Sequence, residues 1–123
     1  MASAEARDIL AQWKAYSVAV ENNSSPIGGP ELAARIAELF KVLSDPTRVQ
    51  TIQTLMENDE SRVSDLAETV GMSQSSVSHH LRILRNFHLV RTRREGKEIY
   101  YAPDDAHLEL LLKVCAEHVT SDH

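Results

Sequence analysis

The sequence predicts a winged helix–turn–helix fold that is mainly α-helical with a small β-hairpin, in the order α-α-α-α-α-β-β-α, and dimeric. Three observations predict this fold. Apolar residues recur at helical spacing in six segments of the chain. A tight turn, "GMS" at Gly71–Ser73, separates two of those segments. The period then changes to strand-like alternation in "LVRTRREGKEIYYAP", which is typical of a two-stranded hairpin.

The composition favours a single cytoplasmic domain. The chain has 123 residues and a net charge of −5. It contains no run of 18 apolar residues, so we expect no membrane-spanning helix and no membrane partner. Its first residues include acidic side chains and no apolar core segment, which is not typical of a signal peptide. The single cysteine, Cys115, cannot form an internal disulfide.

The first half of the chain indicates three helices. The first spans Ala4–Val20 and ends before "NNSSPIGGP", a run of turn-forming residues. Pro30 suits the first position of the second helix. In "SDPTR", Asp45 is placed to cap the third helix and Pro46 to begin it. The apolar stripes of these helices comprise Ile9, Leu10, Trp13, Tyr16 and Val20, then Leu32, Ile36, Leu39, Phe40 and Leu43, then Val49, Ile52, Leu55 and Met56.

The second half contains the helix–turn–helix, the hairpin and a last helix. A short helix over Val63–Val70 ends at Gly71, and Ser73 is the N-cap of a helix that extends to Phe87. Gly96 lies at the turn of the hairpin. Asp104 or Asp105 caps the last helix. The apolar face of that helix comprises Leu108, Leu111, Leu112, Cys115 and Val119.

Positive charge is concentrated in one segment of this acidic chain. The span Arg62–Tyr101 has seven basic and four acidic residues, a net charge of +3, whereas the remainder carries −8. A local basic block of this kind is typical of a nucleic-acid-binding surface. Charge alone leaves open the alternative of a solvated basic hairpin.

The Ser73–Phe87 helix has two dissimilar faces. Val77, Leu81 and Leu84 follow helical spacing and hold the helix to the core. The other face carries short polar groups near the N-terminus, where a helix in the major groove of double-stranded DNA approaches the base edges. A solvated polar helix is the alternative, but the basic hairpin that follows favours DNA. The predicted DNA-binding residues are Gln74, Ser75, Ser76, Ser78, His79 and Arg82 of the helix and Arg93, Arg94 and Lys97 of the hairpin.

Three segments carry a family resemblance. They are "LFKVLSDPTRVQTIQTL", "VSDLAETVGMSQSSVSHHLRILRNFHLVRTRREGKEIYY" and "DDAHLELLLKVCAEHV". Together they resemble the ArsR/SmtB family of bacterial metal-sensing repressors over roughly residues 31–119. The resemblance implies a homodimeric winged-helix repressor that releases its operator DNA when a transition-metal ion binds. The first and last helices each carry an apolar stripe that a domain this small does not easily cover alone, which also favours a dimer.

Members of this family sense metal at different places, and the resemblance implies one of them here. The stretch that would carry sensing cysteines, "SRVSDL" at residues 61–66, has none. In the last helix, Asp105, His107 and His118 match the pattern of the other sensor type, and Ser121 departs from it. Asp122 or His123 could substitute for Ser121. Nitrogen and oxygen ligands without sulfur suit zinc, with cobalt or nickel as alternatives.

The spacing of these ligands requires two chains. His107 and His118 share a helix face but lie about 16.5 Å apart along the axis, too far to bind one ion. Antiparallel copies of the helix bring Asp105 and His107 of one chain to His118 of the other, so a twofold axis creates two sites. We therefore expect a dimerisation helix and linker in residues 1–29, the DNA-binding domain in 30–103, and dimerisation and metal sensing in 104–123.

Other functions fit the sequence less well. A winged-helix repressor with no metal sensor, responding to another signal, is the close alternative. Cys115 and His118 could form the nucleophile and base of an enzyme, but a cysteine in an apolar stripe does not favour this. We therefore expect no enzymatic activity and place Cys115 at the dimer interface. A pure dimerisation module leaves the basic hairpin unexplained. His79 and His80 point about 100° apart, so we expect one at DNA and one near the core.

Overall fold

The computed structural model describes residues 7, 8, 11, 14 and 29–121. The predicted helix over Ala4–Val20 falls mostly outside the described residues, as does Trp13 of its apolar stripe. The four described residues of this helix are helical and exposed. The chain divides into two compact units: Ile36–Glu109, and Met1–Arg35 with Leu110–His123. The predicted division at residues 29 and 103 stays a prediction.

Two helices open the described part of the chain. Helix α1 spans Gly29–Val42, and helix α2 spans Pro46–Asn58. Asp45 caps α2 as predicted, because its carboxylate accepts hydrogen bonds from the amides of Thr47 at 2.8 Å and Arg48 at 3.1 Å. Ile52 and Leu55 of α2 are fully buried and form the centre of the core.

The helix–turn–helix follows. Helix α3 spans Val63–Val70 and helix α4 spans Gln74–Asn86. Gly71 ends α3 in the left-handed conformation, with φ of 71°, which glycine adopts without a steric penalty. The hydroxyl of Ser73 caps α4 by accepting a hydrogen bond from the amide of Ser76 at 3.1 Å. These two local signals produce the predicted sharp turn. The buried residues of the two helices are Leu66, Ala67, Val77, Leu81 and Leu84.

The wing is a three-stranded antiparallel sheet, so the predicted two-stranded hairpin was incomplete. Strand β1 is Ser61–Arg62, β2 is Val90–Glu95 and β3 is Glu98–Pro103, in the spatial order β1-β3-β2. The extra strand has only two residues, too few to show alternation, and its partners lie about forty residues later in the sequence. Gly96 and Lys97 form the turn of the hairpin, and Gly96 has a positive φ of 61°.

Helix α5 spans Ala106–Thr120 and completes the described chain. Of the two aspartates predicted to cap it, Asp105 is the cap: its carboxylate accepts hydrogen bonds from the amides of His107 and Leu108 at 3.0 and 3.3 Å. Leu108 and Leu112 of the predicted apolar face are buried, whereas Val119 is 75% exposed. Within the described ranges, no helix is long and apolar enough to cross a membrane.

Candidate nucleic-acid interface and metal ligands

Helix α4 presents its polar face to solvent while its apolar face is buried. Gln74, Ser75, His79 and Arg82 are exposed, and Val77, Leu81 and Leu84 have no exposed surface. Ser76 and Ser78 are half-buried, because they lie at the border between the two faces. The arrangement holds the helix firmly through one side and leaves the first two turns of the other side accessible to a partner.

The two adjacent histidines of α4 have different surroundings. His79 is exposed, and His80 is half-buried, with its Nδ1 atom 3.5 Å from a guanidinium nitrogen of Arg48. Arg48 in turn donates a hydrogen bond to the carbonyl of Val42 at 2.6 Å. The prediction that one histidine is packed near the core is confirmed for His80. The amide of Arg48 also holds the pKa of Asp45 below its ordinary value of 3.8.

The predicted DNA-contacting arginines of the wing differ in their contacts. Arg94 is exposed, and its Nε donates to the carbonyl of Gly96 at 3.3 Å, while Lys97 is exposed at the turn. Arg93 instead forms ion pairs with Glu60 and Glu95, at 2.6 and 2.7 Å. The hydrogen bonds from Arg93 lower the pKa of Glu60, and Glu60 raises the pKa of Arg93 in return.

A second ion-pair group lies beside the first and was not predicted. Arg62 donates to Asp65 at 3.2 Å and lies 3.8 Å from Glu98, and the bond to Asp65 raises the pKa of Arg62. The pair of Arg62 and Asp65 could have been predicted from the sequence, because the two residues are three positions apart at the start of α3. The pairing of Glu60 with Arg93 had no such signal, because 33 residues separate them.

The predicted metal ligands fall in three places. Asp105 and His107 lie together at the start of α5, with the Oδ2 atom of Asp105 3.6 Å from Nδ1 of His107. His118 is exposed near the end of α5. Asp122 and His123 lie outside the described residues. Ser121, which departs from the family pattern, donates its hydroxyl proton to the carbonyl of Glu117.

The pair at the start of α5 fits a tetrahedral ion. Two ligand atoms that each lie 2.0–2.1 Å from zinc are separated by about 3.3 Å in a tetrahedral site. The observed 3.6 Å between Asp105 and His107 is close to that separation. Among the described residues of one chain, no group of three or more His, Cys, Asp or Glu side chains is arranged to hold a metal ion. The pair can therefore supply two ligands, and further ligands must come from elsewhere.

Comparisons with known proteins agree with the fold and the helix–turn–helix. Residues 45–92 match the family described as "Bacterial regulatory protein, arsR family". A cadmium resistance transcriptional regulatory protein CadC homolog from Staphylococcus aureus is 40% identical over 83 residues, which cover 68% of this chain and 69% of that protein. The HTH-type transcriptional regulator NmtR of Mycobacterium tuberculosis is 41% identical over 100 residues, covering 81% of this chain and 80% of that one.

Solved structures show the same fold. The homodimeric winged helix–turn–helix DNA-binding domain of a Mycobacterium bovis protein matches with a TM-score of 0.65 and 30% identity, covering 75% of this chain and 87% of that one. The proteins that this chain resembles are thus transcriptional regulators and not enzymes. Cys115, the candidate nucleophile of the enzyme alternative, is half-buried.

Proposed function

The chain belongs to the ArsR family of bacterial regulatory proteins, a family of metal-sensing transcriptional repressors, and on this premise we propose that it binds operator DNA as a homodimer and releases it on binding zinc. Cobalt or nickel could replace zinc. The proposal places the protein in the cytoplasm, where a bacterial repressor meets its operator. The observation that carries it is the paired Asp105 carboxylate and His107 imidazole at the start of α5.

The DNA-binding half of the proposal is supported by α4 and the wing. The accessible N-terminal turns of α4 offer an amide and hydroxyls that can bind base edges, through Gln74 and Ser78 above all. Arg82 and the wing residues Arg94 and Lys97 supply positive charge for phosphates on either side. Ser75, Ser76 and His79 belong to the same surface.

The metal-sensing half is supported by the chemistry of the ligands. In the proposed site Asp105 and His107 of one protomer meet His118 of its partner, and Asp122 or His123 supplies the fourth ligand. An oxygen and nitrogen set of this kind suits zinc, cobalt or nickel. The S. aureus relative is named for cadmium resistance, but a cadmium site rich in thiolate has no support in a chain whose one cysteine is Cys115.

Metal binding would act on the shape of the dimer. Ligands from both protomers favour the arrangement of the two chains that brings those ligands together. If that arrangement separates or rotates the two α4 helices away from successive major grooves, operator affinity falls. Couplings of this kind are typically about 1–3 kcal/mol, or roughly 5- to 150-fold in affinity.

The test is a zinc titration of the protein–DNA complex. A fluorescent duplex is first selected from a random pool by binding to the parent protein, and its release is followed by anisotropy. We expect zinc to weaken binding by the parent roughly 5- to 150-fold. His107→Ala and His118→Ala should bind the duplex without zinc as the parent does, because neither residue lies in α4 or the wing, yet zinc should not release them.

A third variant provides the control. His88→Asn removes an exposed histidine outside the proposed site, and asparagine tolerates the positive φ of 57° at that position. It should respond to zinc like the parent. If His107→Ala and His118→Ala release DNA at the same zinc concentration as the parent, this site is wrong. If zinc, cobalt and nickel all leave the parent bound, the protein is a repressor that answers to another signal.

The response should also depend on pH. Histidine ligands must be deprotonated to bind a metal, and histidine in model peptides has a pKa of about 6.5. Lowering the pH through this range should therefore raise the zinc concentration that releases DNA, at constant ionic strength. A zinc response that is unchanged between about pH 7.5 and pH 5.5 would contradict histidine ligation.

A further inference from the structure

The face of the wing sheet that carries Arg93 holds an interlocked group of charges. In the register of the sheet, Arg62 of β1, Tyr100 of β3 and Arg93 of β2 lie side by side across the three strands. Directly opposed residues of an antiparallel sheet present their side chains on the same face. Both arginines of this row are paired with carboxylates. Those carboxylates are Glu60, Asp65, Glu95 and Glu98.

The guanidinium of Arg93 has every nitrogen engaged. Its Nε and one terminal nitrogen donate to the two oxygens of Glu60, at 3.2 and 2.6 Å. The other terminal nitrogen donates to Glu95 at 2.7 Å. Its central carbon lies 4.6 Å from the centroid of the Tyr100 ring, which adds a cation–π contact. Three of its five N–H groups are thus engaged, and a phosphate at the other two would meet a guanidinium whose charge two carboxylates already offset.

The neighbouring cations of the wing are arranged differently. Arg94 lies on the opposite face of the sheet, in register with Ile99, and its Nε donates a hydrogen bond to the carbonyl of Gly96. Lys97 lies in the exposed turn. Within the described residues Arg94 forms no ion pair, so its positive charge is uncompensated there, whereas two carboxylates more than offset the charge of Arg93.

The Glu60 pair joins two parts of the DNA-binding unit. Glu60 lies between α2 and β1, only three residues before α3 begins, and Arg93 lies in the middle of β2. The bond therefore connects the start of the helix–turn–helix to the wing. Arg62 makes a second connection, from Asp65 of α3 to Glu98 of β3. Exposed ion pairs contribute little to stability one at a time, but a bidentate pair does restrict orientation.

We propose that Arg93 is a positioning residue that does not bind DNA, and that its bidentate pair with Glu60 holds the wing at the angle from which Arg94 and Lys97 reach the phosphate backbone. The proposal rests on the proposed DNA binding and changes the role predicted for Arg93. It also assigns a role to Glu60, an acidic residue that a simple charge argument would regard as unfavourable for DNA binding.

The direction in which Glu60→Gln changes DNA affinity shows whether Glu60 acts only through its charge or positions the wing. Removing a negative charge beside the wing should strengthen DNA binding if only charge matters. If the pair positions the wing, the variant should instead weaken binding, by roughly two- to tenfold. Glu68→Gln is the matched control, because Glu68 is an exposed glutamate of α3 outside the charge group, and it should bind slightly more tightly than the parent.

Arg93→Lys gives an independent readout. Lysine keeps the positive charge but cannot form the two parallel bonds to Glu60. A residue that contacts phosphate would keep both affinity and the dependence of affinity on salt after this change. A positioning residue should lose affinity, and the salt slope should fall by about one to two units as Arg94 and Lys97 lose their phosphates. The double variant Glu60→Gln, Arg93→Lys should bind no more weakly than the weaker single variant.

Binding is measured with the selected duplex between about 50 and 200 mM salt, and thermal unfolding verifies that each variant is folded. Tighter binding by Glu60→Gln, or an unchanged salt slope in Arg93→Lys, overturns the proposal while leaving the proposed function intact. Failure to select any duplex with the parent protein is the different outcome that would defeat the function itself.

Discussion

Ser73 is a residue at which stability and DNA binding can be separated. Its hydroxyl caps α4 through the amide of Ser76. Ser73→Ala should lower the free energy of unfolding by about 0.5–2 kcal/mol. Ser73→Asp retains an acceptor and adds a favourable negative charge at a helix N-terminus, so stability should be preserved. The same charge lies where a phosphate is expected and should weaken DNA binding.

Urea unfolding and anisotropy measured on the same preparations check this pair of variants. The informative result is a divergence, with Ser73→Asp as stable as the parent but weaker in binding. If Ser73→Asp binds DNA as tightly as the parent, the N-terminus of α4 does not approach the phosphate backbone.

Single residues were predictable where their role is local. Asp45, Gly71 and Ser73 act on backbone groups within four residues, so sequence position alone was sufficient to assign them. For the cap of α5, the sequence left two candidates, Asp104 and Asp105, since either could precede the first turn of the helix. Arg93 was predicted to bind DNA, and the structure places it against Glu60, a contact that depends on the path of the whole chain between them.

At the scale of one element, we expect α4 to determine the base preference of DNA binding and the wing to contact phosphates whatever the base sequence. Gln74→Ala and Ser78→Ala should weaken binding and change base preference, because each removes a group that can discriminate base edges, worth about 1–3 kcal/mol for a good bidentate contact. Lys97→Ala should weaken binding to every duplex alike and lower the salt slope by about one unit.

Selection from a random pool with each variant, followed by salt titration, measures both effects. Lys97→Ala serves as the control for altered preference. Unchanged affinity and unchanged base preference in both α4 variants would remove α4 from the major groove.

Elements were predictable in proportion to their length. All five described helices match predicted ones, because each has enough apolar positions to show its period. Strand β1 was missed because two residues show no period, and it exists only through pairing with Tyr100 and Tyr101. Yet β1 joins the hairpin to the start of α3, so the shortest element determines where the wing is attached.

At the scale of the molecule, exposed apolar side chains argue for a second copy of the chain. Ile36 and Phe40 of α1 are 45% and 50% exposed, and Val119 of α5 is 75% exposed. We expect a dimer at micromolar concentration without metal, and Phe40→Glu should shift it toward monomer by placing a charge in the interface. Phe87→Glu changes a comparably exposed phenylalanine outside these two helices and should stay dimeric.

Sedimentation velocity distinguishes these states. A parent protein that is monomeric throughout the micromolar range would defeat the shared metal site as well, since His107 and His118 cannot bind one ion within a single helix.

The candidate metal site could be only partly predicted from the sequence. The spacing of Asp105, His107 and His118 identified candidate ligands, and the structure adds that two of them lie within 3.6 Å at a helix start. The proposed site would be completed by a second chain and by residue 122 or 123, and neither pattern nor propensity specifies how two chains meet. The charge distribution was also only partly predictable. The sequence located the basic segment, but it did not show that Arg62 and Arg93 form ion pairs with carboxylates.

The cap of α5 has a consequence for the proposed metal site. One oxygen of Asp105 is engaged with the amides of His107 and Leu108, which leaves the other oxygen directed at the His107 ring. In the proposed metal site the Asp105 carboxylate would thus be preorganised by the cap it makes, whereas the His107 side chain, 92% exposed, would be ordered by the ion. Because such an ion would lose little free energy in ordering Asp105, more of its affinity would remain to bring the proposed ligands of the partner protomer into place.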